Sequence, residues 1–130
     1  MVCREGVRMT YHHDQVTSTI IECIIRVHKT LGPGFSESIY RKSLMIELKL
    51  HKLDVETEKE VRVYYGDSEV GCYRLDLVVN QKIIVELKTV DAINQVHYAQ
   101  ARSYMKALKS NVAILVNFSR ERADFRRLEN

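Results

Sequence analysis

Leu75-Asp76-Leu77-Val78-Val79, then Asn80-Gln81-Lys82, then Ile83-Ile84-Val85-Glu86-Leu87-Lys88: two apolar, largely β-branched runs around a short polar break spell a hairpin. Each run carries one acid, and an ionised carboxylate in such a strand is costly unless a cation sits against it. Register decides where the acids go. A two-residue turn at Asn80-Gln81 would set Val79 against Lys82 and Leu75 against Glu86, so apolar and charged side chains would meet on both faces. A three-residue turn over Asn80-Gln81-Lys82 instead sets Leu75, Leu77 and Val79 opposite Leu87, Val85 and Ile83 on one uniformly apolar face. The other face then aligns Arg74 with Lys88, Asp76 with Glu86, and Val78 with Ile84. Hydrophobic matching selects this register. It brings two carboxylates to within about 5 Å at Cβ, where repulsion at an effective dielectric near 20 is roughly 3 kcal/mol. A shared proton or a bound Mg²⁺ would relieve it.

Glu86 and Lys88 are two apart on a strand and project from one face. Two acids and a lysine there are what phosphodiester hydrolysis requires: oxygen ligands for Mg²⁺ or Mn²⁺, and a cation to orient water or offset charge on the phosphate. An ordinary cross-strand charge cluster, with Arg74 and Lys88 neutralising Asp76 and Glu86 at a solvated face, is the competing reading of the hairpin alone.

Further motifs extend the pattern. Asp76, then Glu86-x-Lys88, then Gln100-x-x-x-Tyr104 on an expected helix resembles the PD-(D/E)XK nuclease superfamily, in particular its RecB-like branch. Upstream, Gly34-x-x-Glu37-x-x-Tyr40 is similar to the signature of the small group called GxxExxY proteins, which is assigned to that superfamily. The likeness runs from about Val16 to Phe118. It implies that Asp76 and Glu86 are metal ligands for Mg²⁺ or Mn²⁺, that Lys88 is the catalytic lysine, and that Glu37 completes the acidic cluster. It also implies that Gln100 and Tyr104 lie beside the site. Leu75 stands where the superfamily's motif has proline, a position that varies among its members. The activity so implied is a metal-dependent nuclease hydrolysing nucleic acid, DNA first, through a metal-activated water. The alternative is a non-catalytic nucleic-acid-binding or protein-interaction module that kept the fold, although a retired site should have lost an acid or the lysine.

Composition sets the frame. At 130 residues and 45% apolar, one core is feasible and a second is not. Residues 1–13 are expected to be a flexible leader and 14–130 a single domain. Apolar runs stop at about five residues and no signal-type stretch opens the chain, so no membrane span and a cytoplasmic location are expected. Cys3, Cys23 and Cys72 lack the spacing of a disulfide framework or zinc site, and none of His12, His13, His28 and His51 has metal-ligand spacing to another histidine or cysteine. The net charge of +3 permits nucleic-acid contact without demanding it. Arg74, Arg120 and Arg122 are candidate phosphate contacts, the last two in an arginine-rich tail whose plain reading is solvated. Tyr64 and Tyr65 could stack on an unpaired base, or pack across a strand pair. Nothing in the sequence decides against a homodimer.

Helical periodicity is expected from Asp14 to about Thr30, stopped by Gly32-Pro33-Gly34. A second helix follows from a Ser36 N-cap to about His51, with Glu37 in its first turn. Strands are expected at Val55–Tyr65, Glu69–Val79 and Ile83–Lys88, a helix at Ile93–Lys109 whose His97, Gln100 and Tyr104 share a face, and a last strand at Val112–Val116. This order matches the αβββαβ core of restriction-endonuclease-like folds with one extra N-terminal helix, an α/β class in which a mixed central sheet is flanked by helices.

Overall fold

In the computed structural model the described residues are 2–130, with side chains from Gln15 onward. The element order is α1 (Val2–Leu31), α2 (Glu37–Leu50), β1 (Val55–Tyr65), β2 (Ser68–Val79), β3 (Ile83–Lys88), α3 (Gln95–Leu108), β4 (Val112–Asn117) and β5 (Asp124–Glu129). The five strands form one sheet in the order β1-β2-β3-β4-β5, parallel only between β3 and β4, which α3 connects. α1 starts at Val2, so its backbone extends back through the stretch expected as a leader. The side chains of that stretch lie outside the described residues; among the described ones, Val16 is the first of the helix to pack against the core. Among the described residues no helix is long and apolar enough to cross a membrane.

The hairpin register is the one hydrophobic matching selects: Leu77 faces Val85, Val78 faces Ile84 and Val79 faces Ile83. Asn80 and Gln81 both take positive φ, 52° and 64°, as a primed turn requires, and Lys82 is the extra residue. Asparagine tolerates this conformation because its short amide can bond locally. Here its Oδ1 accepts from the Asp54 N–H at 3.1 Å.

Alternation sorts the core into two layers. Leu77, Val79, Ile83, Val85 and Leu87 pack with Ile114 and Val116 under α1 and α2, against Ile20, Ile24, Leu44 and Leu48. Val78, Ile84, Ala113 and Leu115 face α3 through Ala101, Tyr104 and Met105. One expectation fails. Leu75 joins the α3 layer rather than the face of Leu77 and Val79, so β2 breaks its alternation at Asp76.

The arginine-rich tail is also not wholly a tail. Asp124–Glu129 adds β5 antiparallel to β4, burying Leu128 in the α3 layer and packing Phe125 against the other.

Candidate metal and catalytic site

Both neighbours of β2 let go of it at Asp76. On one side the paired register with β3 ends at Leu77–Val85, one position short of Asp76–Glu86. On the other, Thr57 pairs with Leu77 and Lys59 with Leu75, but Glu58, which would face Asp76, sits at φ 50° outside the register. The freed backbone groups are taken by the acids themselves. Glu86 Oε1 accepts from the Asp76 N–H at 3.0 Å, and Asp76 Oδ2 accepts from the Leu87 N–H at 2.9 Å. Each carboxylate thus crosses to the other strand, holding the gap open and the two acids together.

Glu86 is 4% exposed, and burial followed by the adjacent Asp76 pushes its carboxyl up to about 8. Among the described residues neither acid has an ion-pair partner, so the charge-cluster reading, which needs Arg74 and Lys88 to neutralise them, is not what the chain builds. Arg74 instead reaches Glu60 on β1 at 3.3 Å. Lys88 donates to Gln100 Oε1 on α3 at 2.7 Å. Tyr104, one helical turn on, is nearly buried. Burial, then Glu86 and Asp76, raise its phenol to about 12, which places the hydroxyl in the field of both acids.

Glu37 arrives from the opposite layer at the first position of α2. Burial raises its carboxyl, and so does Asp76, while Lys88 and Arg41 lower it, so it lies in the field of Asp76 and Lys88. Asp76, Glu86, Lys88, Glu37, Gln100 and Tyr104 therefore converge. Three carboxylates facing one space with no ion-paired cation among the described residues suit a hard divalent ion, which takes oxygen ligands.

Local sequence explains how Glu37 gets there. Gly32 and Gly34 both have positive φ, 71° and 109°, conformations that strain any other residue. The Tyr40 hydroxyl donates to the Gly32 carbonyl and accepts from the Phe35 N–H at 3.2 Å. Its ring is fully buried and stacks on Phe118 at 4.4 Å. The tyrosine thus pins the loop whose end sets the start of α2. Ser36 occupies the N-cap position but makes no side-chain cap bond, so that task falls to the loop. Tyr40→Phe keeps the stack and orphans both loop partners. It is expected to destabilise the fold by about 1–3 kcal/mol, read as a lower urea midpoint at unchanged m-value.

The remaining polar residues are placed by the elements around them. His97 accepts from the Asn94 N–H at 3.0 Å in a capping box and so serves the start of α3. Arg120 donates to the Asp91 carbonyl at 2.9 Å and accepts at its own carbonyl from His28, tying the β4–β5 loop across the end of β3. Arg122 lies in the same loop beside Ile25 and His28. The buried Asn117, whose Oδ1 accepts from the Val90 N–H and whose amide donates to the Val90 carbonyl, fixes the chain just after Lys88. Sequence reasoning passed over Arg41, which is one turn beyond Glu37, pairs with Glu58 at 3.6 Å and borders the site. Spacing four from Glu37 on one helix face was the available signal.

Folding also gathers a group that spacing did not show: Cys23 Sγ lies 3.4 Å from His51 Nδ1, with Glu47 beside them. These atoms are engaged already. His51 Nδ1 donates to the Glu47 carbonyl, Arg26 holds the Glu47 carboxylate, and burial pushes the Cys23 thiol up to about 11. Cys23 and Cys72 are free thiols.

Comparison with known proteins bears on the family and the fold. A family model described as the PD-(D/E)XK nuclease superfamily matches residues 14–128. Among solved structures, the chain is similar to one described as the crystal structure of SSO0001, at 22% identity and a TM-score of 0.57. The likeness covers 72% of this chain and 49% of that one, so the chain spans about half the length of that protein; it bears on the fold alone. No curated protein gives a match.

Proposed function

The chain belongs to the PD-(D/E)XK nuclease superfamily, and from that membership and its uncompensated carboxylates we propose that it is a metal-dependent nuclease hydrolysing phosphodiester bonds of nucleic acid, DNA foremost. The observation that carries the proposal is the reciprocal crossing of Asp76 and Glu86, each bonded to the other strand's backbone, with no ion pair on either among the described residues. Maintaining the buried Glu86 beside a half-buried Asp76 this way without an ion-paired cation is costly. In this reading Asp76 and Glu86 hold Mg²⁺ or Mn²⁺, and Glu37 adds its oxygen directly or through water. A divalent ion so held supplies Lewis-acid polarisation of the phosphate and a lowered pKa for water. Lys88, steered by Gln100, offsets charge growing on the scissile phosphate or orients the attacking water. The Tyr104 hydroxyl, neutral at physiological pH, lies in the field of the acidic cluster. The Gly34, Glu37 and Tyr40 pattern further supports placing the chain in the GxxExxY group, since here the motif builds the loop that presents Glu37.

The test is a cleavage assay over single- and double-stranded DNA and RNA, with Mg²⁺, with Mn²⁺ and with EDTA. Cleavage of at least one substrate that EDTA stops and Asp76→Asn removes is the expected result. Intact substrates under every metal condition would sink the nuclease reading.

A further inference from the structure

β1 and β2 are eleven and twelve residues long, yet only Leu77–Val79 of β2 pairs with β3. The rest of the hairpin is a two-stranded arm beyond the sheet, bent by an irregularity at Val63–Tyr64 and closed at Gly66-Asp67. A lone two-stranded ribbon is marginally stable in water, and this one leans on α3. Between them lies a cleft of about 550 Å³ lined by Arg62, Tyr64, Tyr73, Ser103, Lys106 and Lys109. We propose that this cleft is the track for an unpaired nucleic-acid strand leading to the carboxylate site. The proposal rests on the nuclease reading for the nature of the ligand and adds where the strand lies and that it is single.

Four observations carry it. The cleft borders the site: its lining Tyr73 ring meets Tyr104 edge-on at 4.9 Å, and Tyr104 lies in the field of Glu86 and Asp76. Two of the three cations that line it, Lys106 and Lys109, have no ion-pair partner among the described residues. Arg62 is held by Glu69 at 2.7 Å and Arg74 by Glu60 at 3.3 Å, so both arm arginines are neutralised within the arm. Arg102, Lys106 and Lys109, at positions i, i+4 and i+7 of α3 and its cap, have no ion-pair partner among the described residues, and i, i+4 and i+7 fall on one side of a helix. Lys109 also caps α3 at φ 59°, in the left-handed region where glycine is the preferred residue, so a cation stands there against backbone preference.

Aromatic rings supply the last observation. Tyr64 is 57% and Tyr65 83% exposed, and neither packs on another ring among the described residues, so both keep ring surface open to a ligand. Tyrosine faces beside a cationic groove bind unpaired bases by stacking while the lysines follow the phosphates. A duplex keeps its base faces covered and could use only the lysines.

Fluorescence anisotropy in EDTA separates this from cleavage, using labelled oligothymidylate and a matched duplex as probes. The single strand is expected to bind at least tenfold tighter than the duplex. Lys106→Ala/Lys109→Ala should weaken it and lower the slope of log affinity against log salt by about one to two. Tyr64→Ala should weaken it roughly tenfold with the slope unchanged. Unaltered melting temperatures would show that the variants fold. Equal or tighter duplex binding, no single-strand binding, or an unchanged salt slope in the lysine variant would overturn the track. Native protein that binds the strand as described but cleaves nothing when metal is added would overturn the nuclease reading and support the track.

Discussion

Mn²⁺ is expected to raise the melting temperature of the native protein by on the order of 10 °C and to leave Asp76→Asn/Glu86→Gln unmoved. A ligand at a hundred times its Kd stabilises the folded state by about 2.7 kcal/mol, and a domain of this size converts each kcal/mol into a few degrees. The double variant is a fair control because both amides keep a carbonyl oxygen to accept the Asp76 and Leu87 N–H groups, so the strand gap persists while the charge is lost. Titration calorimetry should show the same contrast in binding heat. The proton competes with the metal, and its sign can be worked out. Glu86 is raised to about 8 when folded, so the folded state binds an extra proton. The metal-free protein therefore loses stability from this group as pH climbs from the ordinary carboxylate range through 8. The Mn²⁺ shift should grow over that same interval, since less of the carboxyl must be deprotonated by the metal. Equal shifts in the native protein and the double variant would refute the shared-ligand arrangement.

How much of this was legible in sequence depends on whether a pattern is local and periodic. The β2–β3 register was legible because one slip would have set Leu75 against Glu86 and Val79 against Lys82, a conflict visible in residue types alone. β5 was not. Its two inward residues, Phe125 and Leu128, are three apart and so enter opposite layers of the core, leaving no alternation between them to separate a strand from a tail. The failure at Leu75 has a related cause. Alternation assumes an unbroken ladder, and here β1 is distorted at Glu58 and β3 departs beyond Val85, so β2 is free to turn over at Asp76. No residue type announces that a glutamate will take positive φ. The convergence of Glu37 on the strand acids was reachable only through resemblance, because it arises from two layers meeting at the end of the sheet. What folding adds is the reason for the convergence: Tyr40 anchors the glycine loop on one side, and the crossed carboxylates open the hairpin on the other.

Lys88→Ala is expected to cut cleavage about a hundredfold, near 2.7 kcal/mol of transition-state stabilisation, with substrate affinity little changed. The geometry argues for a role in the transition state over the ground state. Lys88 is not spent on a carboxylate, although two lie within its field; its ammonium instead donates to the neutral Gln100 amide, which fixes its direction without quenching its charge. A charge so held costs little to reorient when negative charge grows on a phosphate nearby. Lys88→Met retains most of the aliphatic stem and controls for packing, so its cleavage should fall as far as that of the alanine variant while its melting temperature stays close to native. A binding module predicts the opposite division: Lys88→Ala would weaken nucleic-acid affinity in a salt-dependent way, as loss of one phosphate contact does, with no cleavage to lose. Rate and affinity falling by the same factor in both variants would assign Lys88 to substrate binding and leave the chemistry to the acids.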